Sequence, residues 1–234
     1  DTEYEAGVEM GKFFADKGIK TAAIYGAFIP NPMHVYRTAG VLAGLGLSYG
    51  GATTEEDVVG LIFADQGIDL SKISGDIKIV SYLQGYGDTT TDEINAAIQA
   101  APEAFISVGM ATTFFTQQLN AAGIEFSDID SFTKSNGEAI TNGKLVYLAG
   151  KYSSSVGPAF ALVMNAINGN VIRDAQGNAV SLSQNYQVAT DSETFDKFYK
   201  NDNGDNPIYS RDTLDQIIGD TVTFDTINEV VASN

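Results

Sequence analysis

Short apolar segments typical of β-strands alternate with helical segments over the first 170 residues. Strands are predicted at 20–28, 77–83, 104–109, 125–130 and 144–152, and helical periodicity or capping signals follow most of them. Strand and helix recur in units of roughly 30 residues, so neighbouring strands are expected to be parallel and joined by right-handed crossovers. The pattern predicts an α/β fold, a three-layer sandwich around a mainly parallel sheet.

A helix predicted at 155–168 is apolar over most of its surface, through Val156, Phe160, Ala161, Val163, Met164 and Ile167. Such helices are normally covered on more than one side. We therefore expect this helix to lie inside the domain or to need a covering partner. Beyond about residue 170 the pattern becomes irregular, with extended segments around a Gln-Gly-Asn turn and helices near 192–200 and from about Arg211.

Charge and composition exclude several classes of partner. The chain has 30 acidic and 13 basic residues and a net charge of −17, with no basic cluster, so nucleic acid is not an expected partner. It has no cysteine and one histidine, which excludes disulfides, thiolate sites and multi-histidine metal sites. We expect no metal and no cofactor.

Enzyme motifs are weak throughout. There is no phosphate loop ending in Lys-Ser/Thr and no Gly-x-Ser-x-Gly elbow. The acidic pairs Glu55/Glu56 and Asp92/Glu93 fit the first turns of helices, where negative charge is favoured. We predict no enzyme; the remaining enzymatic alternative is hydrolysis using His34 or Asp130.

Arg37 is the residue least explained by local structure. Asn31-Pro32 predicts a helix start, and a cation in the first two turns gains nothing from the helix dipole. Helical side chains lean toward the N-terminus, so Arg37, with His34 on the same face, should point to the carboxyl end of the preceding strand. Ligands of open α/β sheets bind at that edge.

The other strands end in residues suited to binding a polar solute. The candidates are Gln84 and Tyr86, Met110, Asp130, and Lys151 with Tyr152. If the sheet is parallel, these groups converge on one edge. Carboxylate, amide and guanidinium groups hydrogen-bond hydroxyls, while a tyrosine can stack on an apolar sugar face. The set predicts a neutral, polyhydroxylated ligand.

Four segments resemble the second lobe of a type I periplasmic-binding-protein fold, in the sugar-binding group of ABC transporters. They are "DTEYEAGVEMGKFFADKGIKTAAIYG", "HVYRTAGVLAGLG", "DEINAAIQAAPEAFISVGMATTFFTQQLNAAGI" and "DIDSFTKSNGEAITNGKLVYLAGKYSSSVGPAFALVMNAINGN". The matches run in the family's order over roughly residues 1–170. Two positions depart from the family: Gly109-Met110 replaces its Asn-Asp, and Lys151 stands near its hinge Gln or Asn.

The resemblance implies a solute-binding protein that closes two lobes around a sugar and delivers it to an ABC permease. Arg37 and Asp130 would bind hydroxyls, Tyr86 would stack on the sugar, and Lys151 or Tyr152 would lie by the hinge. It implies an extracytoplasmic location, with a lipid anchor in a longer form of the protein. The effector-binding domain of a LacI-type regulator remains the alternative.

The resemblance also implies a division of the chain. Residues 1–152 would form the ligand-binding lobe, and 153–234 a helix after the hinge with a C-terminal extension. We expect the family's first lobe to be missing from this chain, so that it holds half of a cleft. The apolar helix would then need other cover, for which a homodimer is the candidate.

Overall fold

The computed structural model describes residues 2–205 and 207–233 and contains a six-stranded, mostly parallel sheet. Its strands pair in the order β4-β1-β5-β6-β7-β8, and only β8 is antiparallel to its neighbour. In chain order the strands are β1 Thr21–Tyr25, β2 Ser48–Tyr49, β3 Ile73–Ser74, β4 Lys78–Leu83, β5 Ala104–Ser107, β6 Glu125–Ile129, β7 Leu145–Gly150 and β8 Gln187–Ala189. Strands β2 and β3 form a separate antiparallel pair. The predicted α/β fold is confirmed.

Helices connect and flank these strands. They are α1 Glu3–Asp16, α2 Pro32–Gly44, α3 Glu55–Asp65, α4 Thr90–Gln99, α5 Ala111–Phe114, α6 Thr116–Ala122, α7 Lys134–Asn142, α8 Gly157–Ile167, α9 Ser192–Asn203, α10 Arg211–Asp215 and α11 Phe224–Ala232. The predicted start of α2 is confirmed, since the Asn31 side chain accepts from the Met33 amide and Pro32 opens the helix.

Three local features differ from what short-range sequence patterns indicate. Thr90 and Glu93 have the spacing of a capping box, but Thr90 lies inside α4 and its hydroxyl accepts from the Gly87 amide. One helical pattern follows β5 in the sequence, but the helix is broken at Phe115 into α5 and α6. The polar segment before β7 contains α7, which begins at a Thr133 cap.

Helices α1 and α2 are in direct backbone contact through glycines. A Cβ on Gly7 would overlap the carbonyl oxygen of Arg37, and one on Gly40 would overlap that of Tyr4. Gly44 is equally close to the Val8 carbonyl. Any larger residue at these positions forces the helices apart, so the glycine spacing determines how closely Arg37 lies to α1.

A smaller apolar cluster lies outside the main core. Ala161 of α8 packs with Ile217 and with Ile227 of α11. Asn165 is fully buried there, where its side chain donates to the Ile217 carbonyl and accepts from the Gly219 amide. These contacts attach the C-terminal helices to one side of α8.

The opposite side of α8 is exposed. Phe160 is 49% and Ile167 71% accessible, and Val156 and Val163 lie on the same surface. This matches the expectation that the helix needs further cover.

We expect Gly40→Ala to lower the free energy of unfolding by at least about 2 kcal/mol, because the new methyl group meets a backbone that cannot move alone. Gly60→Ala is the matched control: Gly60 lies inside α3, and a Cβ added there would meet no atom within 4 Å. That change should raise stability by about 0.5–1 kcal/mol, through helix propensity. Urea unfolding measures both, and equal effects would contradict the close α1–α2 contact.

Candidate ligand-binding site

The carboxyl ends of β1, β4, β5, β6 and β7 form one edge of the sheet, which we call the ligand edge. Arg37 reaches it from α2, where its Nη1 donates to the Val108 carbonyl just beyond β5, at 3.0 Å. An ideal Cβ on Gly109 would lie 3.6 Å from Arg37 Nη1 and 3.5 Å from His34 Nε2. The structure therefore brings Arg37, His34 and the loop after β5 together.

Arg37 makes three hydrogen bonds within the chain. Besides the bond to Val108, its Nε donates to Glu3 Oε2 and its Nη2 to the Tyr186 hydroxyl, both at 2.7 Å. The side chain is buried, with only 6% of the residue exposed. A guanidinium carries five N–H groups, so these three bonds leave two N–H groups that a solute can engage.

Glu3 and Tyr186 complete a charge cluster with Lys151. The Tyr186 hydroxyl donates to Glu3 Oε2 at 2.7 Å, and Lys151 Nζ lies 3.9 Å from Glu3 Oε1 and 4.4 Å from the Tyr186 ring centroid. Burial alone would raise the pKa of Glu3, but the Tyr186 hydroxyl and the Arg37 charge outweigh it and hold that pKa below its usual range. Two cations thus share one carboxylate.

His34 is buried and held by the segment after β1. Its Nδ1 lies 3.0 Å from the Phe28 amide nitrogen and 3.3 Å from the Phe28 carbonyl oxygen, which leaves Nε2 facing Gly109. Burial, reinforced by the Arg37 charge, lowers the pKa of His34. The imidazole is therefore a neutral group at physiological pH.

An aromatic row continues the edge from His34 to Tyr86. Phe28 lies beside His34, at 6.1 Å between ring centroids, and against Phe114 at 6.3 Å. Tyr86 stacks on Phe114 at 4.1 Å and 20° between planes, and it is 59% exposed. The row presents an open aromatic surface next to polar groups.

Asp130 lies at the end of β6 and is half-buried. Its carboxylate accepts from the Ser131 amide at 2.7 Å and from the Thr112 hydroxyl at 3.2 Å. Thr112 also donates through its amide and hydroxyl to Asp128, which is fully buried. Burial raises the pKa of Asp128 from 3.8 to about 6, against the opposing effect of these two donors.

Three predicted site residues lie apart from this row. Gln84 accepts from the Tyr82 hydroxyl and donates to the Gln66 carbonyl, so its amide is turned toward the end of α3. Tyr152 is buried against Phe132 and Phe198. Met110 is half-buried at the start of α5 with a left-handed φ of 68°.

Sequence reasoning missed four residues of the edge: Glu3, Phe28, Phe114 and Tyr186. A glutamate in the first turn of a helix needs no partner to explain it, so nothing in the sequence indicated that Glu3 binds Arg37. Tyr186 lies 149 positions from Arg37. The sequence predicts only a strand end at Phe28 and only a helix at Phe114. An aromatic residue at the carboxyl end of a predicted strand is the one signal that could have indicated Phe28.

Known structures share this fold. A galactofuranose-binding protein superposes with a TM-score of 0.59 at 10% identity, over 86% of this chain and 63% of that one. The arabinose-binding component of an ABC transporter from Shewanella sp. ANA-3, bound to L-arabinofuranose, gives 0.57 at 17% identity, over 87% and 61%. A solute-binding protein of an ABC transporter from Actinobacillus succinogenes 130z, with bound D-allose, gives 0.54 at 15%, over 85% and 62%.

These likenesses confirm the type I periplasmic-binding-protein fold expected from the sequence. The chain spans less than two thirds of the length of each of these structures. No protein-family model matches the sequence, and no curated protein resembles it significantly. Within the described ranges, no helix is long and apolar enough to cross a bilayer, and no group of three or more acidic or histidine side chains is placed to hold a metal ion.

The raised pKa of Asp128 predicts a pH-dependent contribution to stability. The folded chain binds more protons than the unfolded chain between pH 3.8 and about 6, so this carboxyl makes the fold more stable as the pH falls through that window. We expect the unfolding free energy of the wild type, relative to Asp128→Asn, to rise by about 2.4 kcal/mol from pH 7 to pH 4. Urea unfolding of both proteins across that range tests this, and a constant difference would contradict it.

Proposed function

We propose that this chain forms the ligand-binding lobe of an extracytoplasmic solute-binding protein, which captures a sugar or similar small polar solute and delivers it to an ABC permease. One observation carries the proposal: in this fold, the ligand edge combines an exposed aromatic surface with hydrogen-bonding groups. The stacked Tyr86–Phe114 pair and the Asp130 carboxylate suit the C–H face and the hydroxyls of a sugar. The known proteins with this fold that bind sugars support the same class of ligand.

In this proposal each residue of the ligand edge contacts a different part of the sugar. Tyr86 stacks on the sugar face, and Asp130 accepts hydrogen bonds from hydroxyls. His34 binds a hydroxyl through Nε2, and Arg37 donates one of its remaining N–H groups or exchanges its bond to Glu3 or Tyr186. Because Lys151 and Tyr186 belong to the segments that leave and re-enter the sheet, such an exchange would affect the hinge directly.

A second lobe would complete the cleft and cover α8. The exposed side chains Val156, Phe160, Val163 and Ile167 form a surface that a lobe of a longer protein would bury. In this chain by itself, the same surface favours a homodimer. A lipid anchor on a longer form and the ABC permease as partner belong to the same proposal, which involves no catalysis and no nucleic acid.

Tyr86→Ala tests the proposed site, with Tyr36→Ala as a matched control on an exposed position of α2. The probes are D-allose, L-arabinose, D-galactose and D-glucose, each titrated to tens of millimolar and followed by ¹H–¹⁵N NMR. At least one sugar should shift the amides of Gly85, Gly109 and Ser131. Tyr86→Ala should weaken its binding about tenfold, which is the loss of roughly 1.4 kcal/mol of stacking.

The control should leave the affinity unchanged, because Tyr36 is not part of the aromatic row. The proposal would be contradicted if none of the four sugars shifted the edge amides. It would also be contradicted if Tyr86→Ala bound as tightly as the wild type.

A further inference from the structure

An open cavity of about 480 Å³ lies between the two segments that leave and re-enter the sheet and helix α11. None of His34, Arg37, Tyr86 and Asp130 lines it, so it is distinct from the ligand edge, although Lys151 contributes to both. Its volume falls within the range of small-molecule sites. We propose that this cavity is a second binding site, which takes a neutral, polyhydroxylated solute of monosaccharide size.

Four of the polar side chains that face the cavity have no hydrogen-bond partner among the described residues. Among the described residues, the side chains of Ser181, Ser183, Gln187 and Asn228 make no hydrogen bond with one another or with the rest of the chain. Gln187 and Asn228 are half-buried. Amides in that position carry a desolvation cost that a bound solute or water can offset.

At the ligand edge, by contrast, several polar side chains already bond within the chain. Arg37 and Gln84 are bonded to other parts of the chain, and Asp130 accepts from Ser131 and Thr112. A solute at the cavity would therefore gain hydrogen bonds without displacing internal ones. Amides and hydroxyls both donate and accept, which matches the hydroxyls of a sugar.

One face of α11 lines the cavity. Phe224, Asn228 and Ala232 follow one another at helical spacing and face the cavity, whereas Ile227 on another face packs in the smaller apolar cluster. Phe224 supplies an apolar surface beside the amide of Asn228. An aromatic ring next to an amide is a suitable pairing for the C–H face and the hydroxyls of one sugar ring.

Charge further limits the solute. The chain has 30 acidic residues, yet none of the described side chains lining the cavity is acidic, so a cationic solute finds no carboxylate among them. The one cation in the lining, Lys151, lies 3.9 Å from Glu3 Oε1 and over the Tyr186 ring, and the other twelve lining residues are uncharged. The net charge of −17 also opposes an anionic solute. The lining therefore favours a neutral solute.

The walls of the cavity are held by internal contacts. The Gln184 side chain donates to the Ser155 carbonyl at 2.8 Å, which joins the leaving and returning segments. Tyr209 is buried at its floor, with 7% exposed. The site is therefore formed before any solute binds, which limits the entropy lost on binding.

Asn228→Leu tests this site, because leucine keeps the branching of the side chain at Cγ but removes the amide. Asn95→Leu, on an exposed position of α4, is the matched control. The probes are D-allose, L-arabinose, D-galactose and D-glucose, with D-glucuronate as the anionic comparison, measured by ¹H–¹⁵N NMR titration. We expect a neutral sugar to shift the amides of Ser183, Gln187 and Asn228, and Asn228→Leu to weaken it at least tenfold.

Asn95→Leu and Tyr86→Ala should leave this binding unchanged. If Asn228→Leu does not fold, Gln187→Leu gives the same test from the other wall. The inference is overturned if no neutral sugar shifts these amides, if D-glucuronate binds more tightly, or if both amide variants bind like the wild type. Binding that is lost in Tyr86→Ala but kept in Asn228→Leu would overturn it while supporting the proposed function at the ligand edge.

Discussion

The backbone contact between α1 and α2 is the interaction on which the rest of the ligand edge depends. Gly7 and Gly40 allow the carbonyl groups of each helix to approach the other directly. Arg37 lies one turn before Gly40, so the contact places its guanidinium within reach of Glu3 on α1. Because interiors are close-packed, a single methyl group in this contact would displace the arginine and everything bonded to it.

The charge cluster connects distant parts of the chain. Glu3 belongs to the first helix, Arg37 to the second, Lys151 to the end of the last parallel strand, and Tyr186 to the segment before the antiparallel strand. Their bonds satisfy one another and offset the desolvation that burial imposes on Glu3. It also means that the ligand edge and the two connecting segments cannot change position independently.

Much of the fold followed from local patterns in the sequence. The alternation of strands and helices, the Asn31-Pro32 helix start and the convergence of strand ends on one edge are all local or periodic signals. The placement of Arg37 at that edge followed from the lean of helical side chains. The hydrogen bonds from Arg37 to Glu3 and Tyr186 could not be predicted in this way, because no local signal indicates a partner 149 residues away. The orientation of the Gln84 amide likewise depends on Tyr82 and the end of α3, which only the folded chain brings together.

The most direct test of this account is the coupling free energy between Glu3 and Arg37. It is measured by urea unfolding of the wild type, Glu3→Gln, Arg37→Met and the double variant. Because the pair is partly buried at 2.7 Å and shares Tyr186, the account predicts a coupling of about 1.5 kcal/mol or more. Additivity of the two single changes within about 0.5 kcal/mol would contradict it, since the cluster could not then hold the ligand edge to the connecting segments.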